Sequence, residues 1–214
     1  MAKIKICGLT TQKDIEAVNE VWPDYIGFVF APSRHRVSFE EAAALKNRLA
    51  PGIQAVGVFV NESVERILSL TQAGIIDAIQ LHGDETNDMI LDLKNKTSVP
   101  VIRAVRVQSA DDIRHSQSIP SDYLLFDTYT KGAYGGSGHT FDWSCIPRMR
   151  RPYFLAGGLN LGNITLAAQT PAYCLDISSG VETDGKKDPD KIKQIVQTIQ
   201  MDNHPLSDQS RGGH

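Results

Sequence analysis

The sequence predicts a single compact (β/α)₈ barrel of the α/β class, and three observations lead to this prediction. Eight short apolar segments alternate with amphipathic stretches along most of the 214 residues. That length supports one sizeable core, and 41% hydrophobic with 22% charged residues is an ordinary balance for a soluble domain. The first apolar segment is followed by Gly8-Leu9-Thr10-Thr11, without the G-x-G-x-x-G motif, which disfavours the alternative of a doubly wound open sheet.

The predicted strands are rich in Val, Ile, Phe and Tyr. They cover residues 3–7, 24–30, 54–60, 77–81, 100–105, 122–127, 153–156 and 173–177. Capping residues open several of the predicted helices, with Thr10 or Thr11 before the first and Ser38 with Glu41 as a capping box before the second. The helices are expected over residues 10–20, 38–49, 63–72, 86–95, 110–116, 160–169 and 188–200.

Between the sixth and seventh strands the alternation breaks down. Residues 129–138 have a loop-like composition, and only a short helix over residues 143–147 is expected there. The barrel is predicted to span residues 1–201. Residues 202–214 hold one strongly apolar residue, Leu206, and are predicted to form a polar, disordered tail.

Composition excludes several classes of partner. The formal net charge of −3 leaves no electrostatic footprint for nucleic acid or an anionic membrane, and no apolar run is long enough to span a bilayer. The N-terminus lacks a signal-peptide pattern, and three sparse cysteines are typical of free thiols in a reducing compartment, so we expect a cytoplasmic protein. No Cys or His pair has zinc-like spacing, so no metal site is expected.

Polar and glycine-rich residues follow the strands at their carboxyl ends, where barrels of this class carry their sites. The loops after the last two strands contain Gly157-Gly158 and Ser178-Ser179-Gly180. Small residues let backbone N–H groups approach a ligand, and these two loops commonly bind phosphate in this fold. We therefore favour a phosphate site over ordinary tight turns, with a short helix near Ser179 adding its dipole.

Three further strand ends carry candidate chemical groups. Cys7 ends the first strand, where a thiol is either core filling or a reactive group. Asp127 ends an apolar run; partial desolvation favours its protonated form and suits a general acid, although a helix cap or an ion-pair partner is an equal alternative. Asp176 either contacts a ligand or only orients its neighbours. Cys145 and Cys174 are expected in the core.

Candidate ligand-binding side chains follow the second and fourth strands. Arg34 and Arg36 are either solvated surface charges or donors that hold a carboxylate bidentately. His82 either binds substrate or satisfies a neighbouring backbone group.

A series of motifs runs in order along the chain: Lys5-Ile6-Cys7-Gly8, Gly27-Phe28-Val29-Phe30-Ala31-Pro32-Ser33 with Arg36, Val56-Gly57-Val58-Phe59-Val60-Asn61, Gln80-Leu81-His82-Gly83-Asp84-Glu85, Phe126-Asp127-Thr128, Gly135-Gly136-Ser137-Gly138, Phe141-Asp142-Trp143, Leu155-Ala156-Gly157-Gly158-Leu159, Asp176-Ile177-Ser178-Ser179-Gly180-Val181-Glu182 and Gly185-Lys186-Lys187-Asp188. Taken together and in this order, the motifs resemble the phosphoribosylanthranilate isomerase family over roughly residues 3–200. One departure is peripheral: Asn160-Leu161-Gly162-Asn163 stands where many members have Pro-Glu-Asn, near the start of the seventh helix.

The resemblance implies an Amadori rearrangement in tryptophan biosynthesis, with N-(5-phosphoribosyl)anthranilate as the phosphorylated small-molecule substrate. It implies Cys7 as the general base, Asp127 as the general acid and Arg36 as the ligand of the anthranilate carboxylate. His82, Gly157, Gly158, Asp176, Ser178, Ser179 and Gly180 are expected to bind substrate. No cofactor is expected, and the family includes monomers and homodimers.

Two other functions remain as alternatives. Another phosphosugar isomerase or epimerase on the same barrel would share the phosphate loops, but such epimerases often need several metal-binding His and Asp residues at strand ends. A non-catalytic barrel that binds a phosphorylated ligand would not need both Cys7 and Asp127.

Overall fold

The computed structural model describes residues 2–128 and 140–203, and its eight long strands close into a parallel barrel. Each strand pairs with the next one along the chain, and the eighth pairs with the first, so the predicted fold class is confirmed. The strands are β1 Lys3–Cys7, β2 Tyr25–Val29, β3 Gln54–Phe59, β4 Ala78–Leu81, β5 Val101–Val107, β6 Tyr123–Thr128, β7 Tyr153–Leu155 and β8 Cys174–Ile177.

Seven α-helices surround the barrel in the described part of the chain, and α7 packs against α1 to join the two ends of the fold. They are α1 Gln12–Val21, α2 Phe39–Lys46, α3 Val64–Gln72, α4 Asn87–Lys96, α5 Ala110–Ser116, α6 Ile164–Ala168 and α7 Pro189–Asn203. A 3₁₀ helix at Trp143–Cys145 lies within the predicted 143–147 segment. None of the helices over these residues has the length and apolar character needed to cross a bilayer.

The predicted helix caps at the first two helices are confirmed. Of the two candidates before α1, Thr11 is the N-cap: its side chain accepts a hydrogen bond from the Asp14 backbone, and Asp14 bonds back to the backbone of Thr11. Ser38 and Glu41 form the predicted capping box of α2. Such reciprocal bonds satisfy N–H groups that a helix start otherwise leaves without partners.

The start of the helix after β7 was predicted wrongly. A helix was expected from residue 160, but α6 begins at Ile164. Asn160 instead donates its backbone N–H to Asn163 Oδ1, and its own Oδ1 accepts from Gly162 N. Asn side chains compete with helical hydrogen bonds in this way, so Asn160 and Asn163 form a turn in place of the first helical turn.

Side chains of the strands alternate between the helices and the barrel interior. The lower interior is apolar and includes Val56, Ala78, Ile102, Leu125, Phe154 and Cys174. Two residues further along three of these strands stand Gln80, Asp127 and Asp176, which face the same interior one layer higher. The interior therefore changes from apolar to polar toward the carboxyl ends of the strands, where the site lies.

Two predictions fall outside the described residues. The loop expected over 129–138 lies entirely in the stretch 129–139. The structure follows the last helix to Asn203, so most of the predicted tail, 204–214, lies beyond it, and the proposed domain boundary at residue 201 stays a prediction.

Candidate active site

A cavity of about 590 Å³ opens at the carboxyl ends of the strands. Its volume lies within the range of small-molecule sites. Eight of the ten predicted site residues line it: Cys7, His82, Asp127, Gly157, Gly158, Asp176, Ser178 and Ser179. The structure therefore brings the candidate acid, the candidate base and both glycine-rich loops to one space.

Cys7 lies at the end of β1 with its thiol against β2. A Cβ at position 27 would lie 2.5 Å from the Cys7 sulfur, so Gly27 provides the room that the thiol occupies. The next residue, Gly8, has φ +85° and lies against the ring of His35, which explains the glycine that follows the cysteine. Burial raises the pKa of the Cys7 thiol, and attraction of the thiolate to Lys5 offsets only part of that rise.

Lys5 is a site-region residue that the sequence analysis missed. Its side chain is fully buried, and its ammonium donates to Asp176 Oδ2 at 2.7 Å and to Gln80 Oε1 at 2.8 Å. Burial disfavours the charged form, but attraction to Asp176 and to Cys7 outweighs it, so the pKa of Lys5 is raised. The sequence did contain a signal for this role. Lys5 is a charged residue within an apolar strand, and because it stands two residues before Cys7, both side chains face the same side of the strand.

Asp127 is reached by a second set of side-chain contacts. His82 Nε2 lies 3.2 Å from Asp127 Oδ2, and His82 Nδ1 lies 2.9 Å from Gln80 Nε2. The histidine thus contacts side chains rather than only neighbouring backbone groups. Gln80, a second residue that the sequence analysis missed, connects the surroundings of Lys5 to those of Asp127.

Asp176 has one paired and one unpaired oxygen. Oδ2 binds Lys5, whereas Oδ1 is buried and has no hydrogen-bond partner within residues 2–128 and 140–203. A buried carboxylate oxygen without a partner is costly, and a hydroxyl group of a ligand in the cavity could satisfy it. The sequence analysis left open whether Asp176 binds a ligand or orients its neighbours, and its geometry suits both.

The two glycine-rich loops lie side by side. Gly157 and Gly158 have φ +86° and +69°, and a Cβ at Gly180 would overlap the carbonyl of Leu159. Gly158 and Ser179 line the cavity, and their backbone N–H groups donate no hydrogen bond to the described part of the chain. Free N–H groups in tight turns form the kind of concavity that binds a phosphate.

The short helix expected near Ser179 was predicted wrongly. Two consecutive turns follow β8, with Val181 N donating to Ser178 O and Glu182 N to Ser179 O. They lead into a two-stranded hairpin, β9 Glu182–Thr183 and β10 Lys186–Lys187. Gly185, at φ +74°, lies in the turn between these two strands, and the chain reverses there instead of continuing as a helix. Any anion attraction in this loop therefore comes from its backbone N–H groups, not from a helix dipole.

The candidate arginines occupy different positions. Arg34 lines the cavity and donates to Glu182 Oε2 at 2.5 Å. Arg36 is exposed, does not line the cavity, and has no acidic partner within the described residues. Glu182 also contacts His35 at 3.1 Å and Lys187 at 2.8 Å, so it ties the β2–α2 loop to the hairpin after β8.

The remaining cysteines take the expected places. Cys174 is fully buried in the barrel interior, and Cys145 packs against the edge of the core. All three cysteines are free thiols. Among the described residues, no group of three His, Cys, Asp or Glu side chains could hold a metal ion.

Comparison with known proteins decides the family. Residues 4–198 match the family model described as N-(5'phosphoribosyl)anthranilate (PRA) isomerase. The chain belongs to this family. It is 46% identical over 200 residues to the N-(5'-phosphoribosyl)anthranilate isomerase of Endomicrobium trichonymphae, covering 93% of this chain and 98% of that relative. The PRA isomerase resemblance found in the sequence is thereby confirmed.

Solved structures of PRA isomerases have the same fold. The enzyme from Thermotoga maritima matches with a TM-score of 0.85 at 36% identity, over 94% of this chain and 99% of that one. A PRA isomerase in complex with reduced 1-(o-carboxyphenylamino)-1-deoxyribulose 5-phosphate matches with a TM-score of 0.81 at 35% identity, over the same shares of the two chains. The T. maritima isomerase is described as dimeric, and its monomeric forms match with a TM-score of 0.80 at 35% identity, again over 94% and 99% of the two chains.

Proposed function

We propose that this chain catalyses the Amadori rearrangement of N-(5-phosphoribosyl)anthranilate to 1-(2-carboxyphenylamino)-1-deoxyribulose 5-phosphate in tryptophan biosynthesis. Its membership of the PRA isomerase family supports the reaction. The observation that carries the mechanism is that Cys7 and Asp127 line one cavity together with both glycine-rich loops. The family resemblance gives these two side chains the base and acid roles, and the cavity supplies the common space they need.

Asp127 is the general acid in this proposal. The O–H bond of its carboxyl group breaks as the proton moves to the ribose ring oxygen, and the C1′–O bond opens. The anilino nitrogen donates its electron pair to C1′, which gives a cationic Schiff base. A positioned acid of this kind typically contributes about 10²–10⁴-fold to the rate.

Cys7 is the general base. The cationic imine acidifies the proton at C2′, and the Cys7 thiolate removes it to leave an enolamine, which tautomerises to the ketone. The nearby ammonium of Lys5 favours the thiolate, whereas burial opposes it. The positive charge of the Schiff base adds further stabilisation when the base is needed. Apart from the opening of the C1′–O bond, every step is a proton transfer that involves the substrate and these two side chains.

Substrate binding follows from the lining of the cavity. The free N–H groups near Gly158 and Ser179 suit the phosphate, with Gly157 and Gly180 giving the close approach. Asp176 Oδ1 suits a ribose hydroxyl. Arg36 is exposed and unpaired within the described residues, and it is assigned to the anthranilate carboxylate, which it can hold bidentately. His82 lines the cavity and contacts Asp127, so it lies where substrate meets the proposed acid.

The proposal extends to the cellular location and the oligomeric state of the enzyme. A biosynthetic isomerase acting on a charged phosphorylated metabolite is assigned to the cytoplasm. Its assembly is assigned as monomer or homodimer, in line with the dimeric T. maritima relative.

Turnover of freshly prepared phosphoribosylanthranilate tests this function. We expect the wild-type chain to quench the substrate fluorescence rapidly, with the aminoketose identified by mass spectrometry. Addition of EDTA separates this enzyme from a metal-dependent epimerase, because the rate is expected to stay unchanged. Absence of turnover, or full loss of it with EDTA, would contradict the proposal.

A further inference from the structure

The buried lysine at the centre of the site makes only donor contacts. An ammonium group carries three N–H bonds and no acceptor. Lys5 Nζ lies 2.7 Å from Asp176 Oδ2 and 2.8 Å from Gln80 Oε1, and no part of its side chain is exposed. The ion pair with Asp176 holds Lys5 in the protonated form and fixes the position of its nitrogen.

The donor at Lys5 determines the orientation of the Gln80 amide. Because Lys5 can only donate, the oxygen of the amide must face it, and the NH₂ group must face the other neighbour. That neighbour is His82 Nδ1, at 2.9 Å. An NH₂ group can only donate, so His82 Nδ1 must be the acceptor and carries no proton.

The tautomer of His82 follows in turn. A neutral imidazole without a proton on Nδ1 carries its proton on Nε2. His82 Nε2 lies 3.2 Å from Asp127 Oδ2, so it donates to that oxygen. When Asp127 is protonated, the oxygen that already accepts a hydrogen bond from His82 is the unfavourable place for the proton.

We propose that Lys5, acting through Gln80 and His82, directs the acid proton of Asp127 to Oδ1. Lys5, Gln80 and His82 are positioning residues in this account, and the inference rests on the proposed acid role of Asp127. Oδ1 accepts no hydrogen bond within residues 2–128 and 140–203, and a Cβ at Gly157 would lie 2.7 Å from it. Oδ1 therefore adjoins Gly157, a residue that lines the cavity.

The same arrangement assists the proton transfer. As the O–H bond at Oδ1 breaks and the proton moves to the ring oxygen, negative charge develops on the carboxylate. The Nε2–H of His82 already points at Oδ2 and stabilises that charge without reorganisation. The ring cannot rotate to withdraw this donor without losing its bond to Gln80.

Histidine-ring NMR tests the inference on the wild-type protein without any turnover. Two-bond ¹⁵N–¹H spectra, with His82 assigned from a His82→Gln variant, distinguish the two neutral tautomers and the imidazolium. We expect a bare Nδ1 and a protonated Nε2 at neutral pH. A protonated Nδ1, alone or in a tautomer mixture, would overturn the proposal even if the enzyme were fully active.

A near-isosteric substitution supplies the kinetic test. In Gln80→Glu, a carboxylate accepts from Lys5 and from Nδ1 of His82, so the NMR signal should show that Nδ1 has become protonated. We expect kcat to fall about tenfold or more with KM changed less than about threefold, because the altered tautomer and the added negative charge act on proton transfer more than on substrate binding. The matched control is Gln54→Glu, at an exposed position at the start of β3, which should retain wild-type kcat.

The outcomes separate this inference from the proposed function. A protonated Nδ1 with a bare Nε2 in Gln80→Glu, together with unchanged kcat, would overturn the positioning role and leave the isomerase assignment intact. An imidazolium, which keeps the Nε2–H donor to Asp127, together with the same fall in kcat would overturn it as well. A wild type that does not turn over phosphoribosylanthranilate would remove the function, while the histidine tautomer would still be read directly.

Discussion

Glu182 Oε1 accepts a hydrogen bond from Lys187 Nζ at 2.8 Å, and both side chains are almost fully buried beside the cavity. Lys187 also donates to the carbonyl of Ser178, in the loop proposed to bind phosphate. The ion pair therefore connects the hairpin after β8 to that loop. Its loss should affect both folding and substrate affinity.

Glu182→Gln is expected to lower the free energy of unfolding by about 3 kcal/mol, because it leaves the buried Lys187 without a compensating charge. KM should rise as the Ser178 loop loosens. Chemical denaturation and steady-state kinetics measure the two effects. The matched control is Asp111→Asn, which removes an exposed pair with Arg114 and should leave stability unchanged. Equal stability of the two variants would contradict the structural role of Glu182.

Gly157→Ala is expected to reduce kcat strongly. The added Cβ would overlap Thr128 Oγ1 and lie 2.7 Å from Asp127 Oδ1, and the residue has φ +86°. Positive φ alone costs about 1–3 kcal/mol for a side chain, whereas displacement of Asp127 acts on the chemistry. Gly74→Ala is the matched control, because Gly74 also has positive φ but nothing within 4 Å of its added Cβ. Gly74→Ala should lose stability and keep its kcat. Similar kcat values for both variants would contradict the expectation that the added Cβ at position 157 displaces Asp127.

Arg36→Met is expected to raise KM about tenfold or more with little change in stability, because a charge-assisted bond to the substrate carboxylate is lost. Arg34→Met tests the other candidate, since Arg34 lines the cavity but is paired with Glu182. Arg48→Met controls for loss of a distant exposed charge. A larger rise in KM for Arg34→Met than for Arg36→Met would mean that Arg34, not Arg36, binds the substrate carboxylate.

The Cys7 thiol should react slowly at neutral pH. Its pKa is raised by burial, against the opposing attraction to Lys5, and only the thiolate reacts with iodoacetamide. Alkylation of Cys7 in the folded enzyme should therefore increase with pH through a midpoint above that of the same cysteine in the urea-unfolded chain. Peptide mapping separates Cys7 from Cys145 and Cys174. A midpoint below that of the unfolded chain would contradict this expectation, because it would mean that attraction to Lys5 lowers the pKa of Cys7 more than burial raises it.

The barrel and the placement of its candidate acid and base were accessible from sequence because strand periodicity places strand ends at one face. Cys7 and Asp127 could be located at that face, and the caps at Thr11 and Ser38 followed from local hydrogen-bonding chemistry. Such features depend on residues close together in the chain.

The errors arose where hydrogen bonds and turn residues, rather than the apolar pattern, decide the structure. The helix after β7 starts late because the side chains of Asn160 and Asn163 bond to nearby backbone groups. The helix expected near Ser179 gives way to a hairpin. The charge of Lys5 inside an apolar strand was visible in the sequence. Its partners lie 75 and 171 residues away in the chain, however, so local patterns could not identify its role or that of Gln80.

The most direct test of the acid–base pair is the single-turnover fluorescence decay of phosphoribosylanthranilate with wild type, Cys7→Ser and Asp127→Asn, each checked for native folding. The account predicts that the rate falls at least about 100-fold in each variant, as expected for loss of a positioned acid or base. Near-wild-type rates in folded Cys7→Ser would contradict the role of the thiol as base, and near-wild-type rates in Asp127→Asn would contradict the role of the carboxyl as acid.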